Sequence, residues 1–251
     1  MFSSERSEEI LRILRTKKKV STKYLCEELY CSTSTLRRNL IELEKAALVK
    51  RLHGGVALIP DYNIEYPHIF REMENQKEKS YICSLALDFI SSGYAIFLDS
   101  SSTVNNICPM LHKYDNLTVV TNGLKTALDL AQLDSVNTFI AGGQLKSGST
   151  SIIGELTGGF IDNFKADLAI ISCRGIDEDG AYEANQMQAL VKQHMIKNSK
   201  NTILLCDSSK FNNSHFYKLD SFANIGAVIT DKAPSSKLLN SILLADCEVI
   251  Y

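Results

Sequence analysis

The sequence predicts two domains of different fold class, a small and mainly helical N-terminal domain and a larger α/β domain with a mostly parallel sheet. Residues 1–60 hold 12 Lys/Arg and 7 Asp/Glu, a net charge of +5, whereas residues 61–251 hold 15 and 22, a net charge of −7. The basic part reads as helices followed by a hairpin, and short apolar runs alternate with helix-like segments over the rest. The predicted domains are 1–58 and 76–251, joined by a polar linker at 59–75.

Composition indicates a globular protein and excludes several classes. The 251 residues are 45% hydrophobic and 22% charged, which is enough for a sizeable core. No apolar run approaches the ~18 residues of a membrane span, and the first 15 residues lack a signal-peptide pattern, which predicts a cytoplasmic protein without membrane contact. The seven cysteines are scattered without a CxxC and apart from the five histidines. We therefore expect reduced thiols, no metal site and no cofactor.

Three helices are predicted in the basic domain. Apolar residues at helical spacing over 4–16 predict the first, and a break at 17–20 follows it. Ser21 and Ser32 are N-cap candidates for the second and third helices. The apolar stripe of the third helix consists of Leu36, Leu40, Leu43 and Ala47.

The opposite face of the third predicted helix is polar and basic. At 100° per residue, Ser34, Arg38 and Lys45 point away from the apolar stripe. Thr33 and Arg37 lie beside its edge. Short hydroxyl groups and arginine are the groups that reach base edges and phosphates in the DNA major groove, so this face predicts a groove reader. The alternative is the solvated face of a plain helical bundle.

Residues 48–59 have the pattern of a β-hairpin with Gly54 and Gly55 at its tip. Such a hairpin after three helices would be the wing of a winged helix-turn-helix. Arg51 and His53 lie near its tip. The predicted DNA contacts are Ser32, Thr33, Ser34, Thr35, Arg37, Arg38, Lys45, Arg51 and His53.

Two motifs of the basic domain carry a family resemblance. The sequence T-L-R-R-N-L at residues 35–40 and R-L-H-G-G at residues 51–55 resemble the helix-turn-helix of DeoR-type bacterial transcriptional regulators. That family usually has Asp where this chain has Asn39, a difference that removes one negative charge beside the expected DNA. The resemblance implies double-stranded operator DNA as a partner. Half-site recognition then predicts a homo-oligomer, either a dimer or a tetramer.

The acidic part of the chain predicts a layered α/β fold. The expected strands are 95–98, 117–121, 138–140, 168–172, 203–206, 227–230 and 248–251. The expected helices are 79–90, 104–111, 124–133, 186–198 and 235–244. Ligands of such folds bind at the carboxyl ends of the strands.

Polar clusters follow four of these predicted strands, and the longest is the run D-S-S-S-T at residues 99–103. A helix starting at Thr103 would offer free backbone N–H groups, serine and threonine hydroxyls would add donors, and Lys210 would add a charge. Asp99 and Asn122 suit sugar hydroxyls. These positions predict a phosphate cradle with a sugar beside it; the alternative is simple capping of turns.

The second half resembles the DeoR-type sensor domain, whose fold is shared with ribose-5-phosphate isomerase and glucosamine-6-phosphate deaminase. The family's D-x-G-S-T, T-N, G-G, G-I-D and D-S-S-K-F motifs match residues here, but Ser101 replaces the first glycine and Arg174 stands where a small residue is usual. The resemblance implies a phosphorylated sugar or a sugar-derived effector. The predicted effector contacts are Asp99, Ser100, Ser101, Ser102, Thr103, Thr121, Asn122, Gly142, Gly143, Arg174, Gly175, Asp177 and Lys210.

The expected function is therefore sequence-specific regulation of transcription, as a repressor of carbohydrate-metabolism genes controlled by a phosphorylated metabolite. One alternative is a phosphosugar isomerase or deaminase, because fold does not decide function. Its catalytic base would be a carboxylate, with Asp99, Asp177, Glu183 and Asp207 as candidates. A second alternative is a DNA-binding protein with a vestigial sensor.

Overall fold

The computed structural model describes residues 3–46, 48–59 and 68–251. The chain divides into two compact units, Met1–Glu74 and Asn75–Tyr251. The segment predicted as a linker, 59–75, lies partly outside the described residues, at 60–67. Its described part includes a six-residue helix.

The N-terminal unit is a winged helix-turn-helix, as predicted. Its helices and strands are α1 (Ser3–Lys17), β1 (Lys19–Ser21), α2 (Thr22–Glu28), α3 (Thr33–Lys45), β2 (Val49–Leu52), β3 (Gly55–Leu58) and α4 (His68–Met73). The strand β3 lies between β1 and β2, and both pairings are antiparallel. The segment predicted as a break after the first helix is therefore a strand in part, because β3 offers it a backbone partner.

Local signals set the limits of α2 and α3. Ser21 and Ser32 are the N-caps, and their hydroxyls accept hydrogen bonds from the amides of Tyr24 (3.1 Å) and Thr35 (3.2 Å). Both predicted caps are confirmed. The stripe of α3 is buried in one apolar core with α1 and α2, at Leu36, Leu40 and Leu43. The fourth predicted stripe residue, Ala47, lies outside the described residues.

The C-terminal unit is an α/β domain around a seven-stranded parallel sheet. Its helices are α5 (Gln76–Ala86), α6 (Ser102–Asn105), α7 (Leu124–Leu130), α8 (Glu155–Ile161), α9 (Gln186–Lys197) and α10 (Ser236–Leu244). Its strands are β4 (Ala95–Leu98), β5 (Leu117–Thr121), β6 (Val136–Ile140), β7 (Gln144–Leu145), β8 (Ile152–Ile153), β9 (Ala166–Ser172), β10 (Gly175–Asp177), β11 (Gly180–Glu183), β12 (Ser199–Leu205), β13 (Tyr217–Asp220), β14 (Ala227–Ile229) and β15 (Glu248–Ile250).

The strand order of the large sheet is β15-β14-β12-β9-β4-β5-β6, and every neighbouring pair is parallel. Its central strands are buried on both faces, which is why they read as continuous apolar runs. Along β4, Ile96 and Leu98 belong to the core on one face and Phe97 to the core on the other. A smaller antiparallel sheet has the order β10-β11-β13.

One predicted helix, 104–111, is wrong. The chain forms only the four-residue α6, followed by a 3-10 helix over Cys108–Lys113. The Asn106 side chain donates to the Ser102 carbonyl (2.6 Å), which competes with the helical bonding pattern. Pro109 has no amide hydrogen and disfavours a continuous helix through this point.

Candidate functional site

The outward face of α3 carries uncommitted positive charge. Arg37, Arg38 and Lys45 are exposed and form no hydrogen bond or ion pair with any described residue. At the start of α3, the Ser32 hydroxyl lies 2.9 Å from those of Ser34 and Thr35. Thr33 is also exposed and adds a further hydroxyl to this end of the helix. Guanidinium groups without an internal partner are free to bind phosphates or guanine edges.

The wing is tied to α3 through an ion pair that the sequence did not indicate. Arg51 Nε donates to Glu44 Oε2 (2.6 Å), and the Arg51 amide donates to Glu44 Oε1 (3.0 Å). These two bonds lower the pKa of Glu44, the amide bond contributing most. Gly54 occupies the hairpin turn at φ +70°, a conformation that favours glycine, and His53 beside it is exposed. Arg51 thus holds the wing in place, while His53 is the free polar side chain of the turn.

Asn39 does not lie on the outward face of α3, where its replacement of Asp was expected to change the charge beside DNA. Its side chain is buried; Nδ2 donates to Ser7 Oγ (3.0 Å), and Oδ1 accepts from Arg6 NH1 (3.4 Å). The sequence interpretation of this position was wrong. The Asn39 side chain joins α3 to α1, because position 39 is three residues after Leu36 and faces the same core.

Most of the predicted ligand residues of the C-terminal unit lie at the carboxyl ends of β12, β9, β4 and β5, which are neighbours in the sheet, while Gly142 and Gly143 follow the edge strand β6. We call the loops after these four strands the candidate ligand site. Carboxyl ends of parallel strands share one edge of a sheet, so the clusters predicted separately in sequence meet in space.

A buried lysine organises the candidate ligand site. The Lys192 ammonium on α9 lies 2.9 Å from Asp99 Oδ2, contacts Glu183 Oε1, and donates to the Ser172 carbonyl (2.7 Å). All three charged side chains are less than 10% exposed. Burial favours the neutral amine, but the two carboxylates outweigh burial and raise the pKa of Lys192. A charged lysine therefore joins the loop after β4, the end of β9 and the antiparallel sheet.

The Asp99 carboxylate is engaged by internal partners. Its side chain is fully buried; Oδ1 accepts from the Ser101 amide (2.8 Å), and Oδ2 accepts from the Ser172 amide (2.9 Å) and pairs with Lys192. Ser101 is in turn the N-cap of α6, and its hydroxyl accepts from the Val104 amide (3.2 Å). Asp99 and Ser101 thus shape the loop through internal bonds.

Two lysines reach the hydroxyl groups of this loop. Lys210 Nζ donates to Thr103 Oγ1 (3.3 Å) and Ser172 Oγ (3.1 Å), and Lys79 Nζ donates to Ser102 Oγ (3.3 Å). Lys79, on α5, is buried, and Lys210 is mostly buried. Burial opposes the charge on Lys210, but the carboxylate of Asp207, 3.4 Å away, together with Cys206 and Cys173 outweighs burial and raises the pKa of Lys210.

A second group of hydroxyls and an amide lies at the end of β5. The hydroxyls of Ser100 and Ser151 are 2.6 Å apart, and Asn122 Nδ2 donates to the Ile152 carbonyl (2.9 Å). Asn122 Oδ1 is buried without a hydrogen-bond partner among the described residues. The neighbouring Thr121 hydroxyl accepts from the Gly123 amide (3.0 Å) and shapes the turn. A buried amide oxygen without a donor costs free energy unless a ligand or water supplies one.

Three predicted residues are glycines: Gly142 and Gly143 lie in the turn after β6, and Gly175 lies in the small antiparallel sheet. The Gly142 carbonyl accepts a hydrogen bond from Thr157 Oγ1 (3.0 Å). At Gly143 (φ +149°) an added Cβ would lie 2.2 Å from Thr157 Oγ1. Gly175 begins β10, which bridges to Phe211 just after Lys210 and so adjoins the candidate ligand site.

Arg174 precedes β10, and Asp177 is its last residue. The Arg174 amide donates to the Tyr182 carbonyl (2.8 Å), and the Arg174 side chain is half-buried. Asp177 Oδ1 accepts from the Asp179 amide (2.9 Å). Burial, and then the hydrogen bond with Asp177, raises the pKa of Tyr182 to about 12.

Lys79, Lys192, Ser151 and Ser172 were missed as site residues by sequence reasoning. A signal was present for the two lysines. Lys79 lies on the buried stripe of α5 with Ile82, Cys83 and Ala86, and Lys192 is likewise buried on α9. A lysine at a core position of an amphipathic helix indicates a buried charge with a partner. No comparable signal exists for the serines, whose burial is a tertiary effect.

The fold and the site together define a class of protein, a DNA-binding winged helix-turn-helix joined to an α/β sensor domain. A family model for the DeoR-like helix-turn-helix domain matches residues 6–61, and one for the DeoR C terminal sensor domain matches residues 74–232. The chain belongs to the DeoR family of bacterial transcriptional regulators. This confirms the family and the function class expected from the sequence.

Curated relatives align over nearly the full length of the chain. The glycerol-3-phosphate regulon repressor of Escherichia coli is 33% identical over 235 residues, 93% of either chain. The HTH-type transcriptional repressor GlcR of Bacillus subtilis is 30% identical, covering 94% of this chain and 91% of its own. Among solved structures, ribose 5-phosphate isomerase A of Methanocaldococcus jannaschii is 13% identical and covers 56% of either chain, with a TM-score of 0.42.

Two features are absent from the described residues. None of the helices there is long and apolar enough to cross a membrane. The same residues contain no cluster of three or more His, Cys, Asp or Glu side chains that could hold a metal ion.

Proposed function

We propose that the protein is an operator-binding repressor of carbohydrate-metabolism genes whose candidate ligand site binds a phosphorylated sugar or a sugar-derived metabolite. One observation carries the proposal: Lys79 and Lys210 donate to the adjacent hydroxyls of Ser102 and Thr103, the first two residues of α6, inside a mostly buried site. Hydroxyl donors beside ammonium groups are suited to phosphate oxygens, and charge-assisted hydrogen bonds are the stronger ones.

The sugar would lie toward the end of β5. Asn122 Oδ1 needs a donor, and a sugar hydroxyl can supply one. Ser100 and Ser151 offer hydroxyls beside the same amide. The names of the relatives direct the choice of ligands to test, since one is a glycerol-3-phosphate regulon repressor.

The same geometry favours a binding site over an enzyme. A general base must be able to reach a substrate proton. Asp99 and Glu183 are both paired with the buried Lys192, and Asp207 is held by Lys210 and by donors from Asn75 and Ser209. We propose that the protein is not an isomerase or a deaminase.

The outward face of α3 would read the operator, with Arg37 and Arg38 contacting phosphates or guanines and Ser34 near base edges. Repressors of this architecture recognise two half-sites, so we propose a dimer or tetramer acting on chromosomal DNA in the cytoplasm. The effector would act by binding one state of the protein better than the other, which changes DNA affinity by linkage.

The test uses the full-length protein and a defined ligand panel. Thermal unfolding is measured with glycerol 3-phosphate, pentose and hexose phosphates, their unphosphorylated parents and inorganic phosphate. A specific phosphorylated ligand at ~100 times its dissociation constant should stabilise the protein by about 2.7 kcal/mol, whereas its parent should not. Lys210→Ala should lose most of this effect, and the exposed Lys200→Ala should keep it.

The same ligand should shift operator DNA binding in a gel assay and remain chemically unchanged by NMR. A ligand that is isomerised or deaminated would establish the enzyme alternative. Equal stabilisation by the unphosphorylated parent would contradict the phosphate cradle. If the whole panel gave no shift while DNA binding persisted, the sensor would be vestigial.

A further inference from the structure

Two half-buried cysteines lie on either side of the turn in the helix-turn-helix. Cys26 is on α2, and Cys31 follows it by five residues, directly before the N-cap of α3. The other five cysteines of the chain are buried, and all five lie in the C-terminal unit. A thiol has to be reached by an oxidant before it can be modified, so modification is expected first at Cys26 and Cys31.

The end of α2 brings these two side chains together. The Cys31 amide donates to the Cys26 carbonyl (3.1 Å), and the Tyr30 amide donates to the Glu27 carbonyl (3.4 Å). Tyr30 itself is left-handed, at φ +46°. These are the features of a Schellman motif, in which the side chain of the third-last helical residue contacts that of the second residue after the cap. In this chain those two side chains are Cys26 and Cys31.

The environment of the two thiols agrees with this contact. Burial raises the pKa of Cys31, and Cys26 raises it further through its charge and a hydrogen bond, while Arg6 acts in the opposite direction. Cys31 therefore keeps its proton, which leaves Cys26 as the thiol that reacts first. The Cys26 Sγ also lies 3.9 Å from the hydroxyl of Thr33, the first residue of α3.

We propose that Cys26 and Cys31 form a reversible disulfide within one chain, with a peroxide as the oxidant. Cys26, as the thiolate, takes one oxygen from hydrogen peroxide and becomes a sulfenic acid, and the hydroxide that leaves takes up the thiol proton as water. The Cys31 sulfur then attacks the Cys26 sulfur, the S–O bond breaks, and the departing hydroxide takes the Cys31 proton as a second water. Two thiols are thus oxidised to one disulfide while one peroxide is reduced to two waters.

The disulfide would change the start of α3. An S–S bond is about 2.0 Å long, so the two sulfurs have to approach each other and the Cys26 sulfur turns away from Thr33. Thr33 belongs to the end of α3 that carries the exposed hydroxyls. Oxidation should therefore shift this end of α3 and weaken DNA binding. That consequence rests on the proposed function, whereas formation of the disulfide does not.

The first test locates the bond in the full-length protein. The protein is treated with hydrogen peroxide, its remaining thiols are alkylated with N-ethylmaleimide in denaturant, and a tryptic digest is analysed by mass spectrometry. Residues 24–37 form one tryptic peptide that contains both thiols. After peroxide this peptide should carry no maleimide and should be lighter than the reduced peptide by two hydrogen atoms. Dithiothreitol should restore both alkylation sites.

The buried cysteines are the internal control for this test. Their peptides should remain fully alkylated at a peroxide dose that oxidises residues 24–37. Two free thiols in that peptide at every dose would overturn the proposal. A bond that joins two chains would overturn it too, as would a bond between Cys173 and Cys206, which follow the neighbouring strands β9 and β12.

The second test measures DNA affinity in the two redox states by fluorescence anisotropy, with a duplex selected with the reduced wild-type protein. Oxidation should weaken binding roughly fivefold or more, the loss expected when one base contact is disturbed, and dithiothreitol should reverse it. Cys26→Ser and Cys31→Ala each leave one thiol of the pair and should bind the duplex equally with and without peroxide. If one variant does not fold, the other decides.

Equal affinity of the oxidised and reduced wild type would overturn the effect on α3, and so would a peroxide effect that persists in the variants. A reduced protein that binds no duplex at all would instead contradict the proposed function, and the peptide masses would still decide whether the disulfide forms.

Discussion

The outward face of α3 and the candidate ligand site both depend on cationic side chains, but in opposite states. Arg37 and Arg38 are exposed and have no partner among the described residues. Lys192 and Lys210 are buried or mostly buried and are held by carboxylates and hydroxyls. The arginines of α3 therefore stay hydrated, whereas the lysines of the candidate ligand site are desolvated and are stabilised by their carboxylate and hydroxyl partners.

This difference follows from what each surface binds. A DNA duplex brings its own dense charge and releases counterions on binding, so the protein needs only free cations on a rigid helix. A small ligand has few contacts, and its site has to be organised before it arrives. Charge in the ligand site should consequently matter for folding, whereas charge on α3 should matter only for binding.

The largest expected effect tests this division through Lys192. Replacing Lys192→Met leaves Asp99 and Glu183 buried without their cation and should lower the free energy of unfolding by about 3–5 kcal/mol. Lys200→Met is the matched control, because Lys200 pairs with Asp167 (2.7 Å) while 80% exposed, and it should cost less than about 1 kcal/mol. Urea denaturation measures both. Similar small losses in the two variants would remove the distinction between the surfaces.

The next effect is on DNA binding. Arg38→Ala should weaken binding to a duplex selected with the wild-type protein by about 1–3 kcal/mol if the side chain contacts a base. Its free energy of unfolding should change by no more than about 0.5 kcal/mol. Fluorescence anisotropy at fixed salt measures the affinity, and Arg12→Ala, an exposed arginine paired with Glu9 on α1, is the control. Equal binding by wild type and the Arg37→Ala/Arg38→Ala double variant would show that α3 is not the reader.

The third effect concerns acid stability. Burial acts to raise the pKa of Asp99, but Lys192 and the donors from Ser101 and Ser172 outweigh it, so its pKa lies below the ordinary value. In an unfolded chain an aspartate carboxylate is protonated near pH ~3.9. The stability from Asp99 is thus fully present above that pH and is lost as pH falls toward the folded-state pKa. One such group contributes a slope of at most about 1.4 kcal/mol per pH unit.

Urea denaturation between pH 5 and pH 2.5 measures that slope. Asp99→Asn should be less stable at neutral pH and should have a shallower decline in acid. The control is Glu9→Gln, because the pKa of Glu9 is lowered by Arg12 at a half-buried surface site where salt screens the pair. In 1 M salt the Glu9 contribution should disappear and the Asp99 contribution should remain. A decline that is unchanged in Asp99→Asn would argue against a charged Asp99 in the folded protein.

The smallest effect is expected at Ser101, where the family has glycine. The Ser101 hydroxyl caps α6, so Ser101→Gly should cost only a few tenths of a kcal/mol, and Ser101→Ala about 1 kcal/mol. Ligand affinity, measured by calorimetry with whichever phosphorylated compound stabilises the wild type, should change less than in Lys210→Ala. Tighter binding by Ser101→Gly, by tenfold or more, would mean that the side chain obstructs the loop.

Elements with a local signature were predictable. The strands at 95–98 and 117–121 have the predicted limits, because an apolar run ended by polar turn residues identifies a buried strand. The caps of α2 and α3 were equally clear, since a single serine side chain satisfies an amide three residues away. The small sheet β10-β11-β13 was not predicted, because its edge pairs residues far apart in sequence.

By itself, the sequence determined the family, the two domains, the outward face of α3 and the positions of the polar clusters, because motif spacing and helical or strand periodicity are local properties. Only the tertiary structure decided which of those polar groups are available. The Asp99 carboxylate accepts a hydrogen bond from the amide of Ser172, 73 residues away, and the Asn39 side chain donates to the hydroxyl of Ser7, 32 residues away. A buried polar group must find a partner, and that partner is chosen by the packing of distant elements, which no local pattern records.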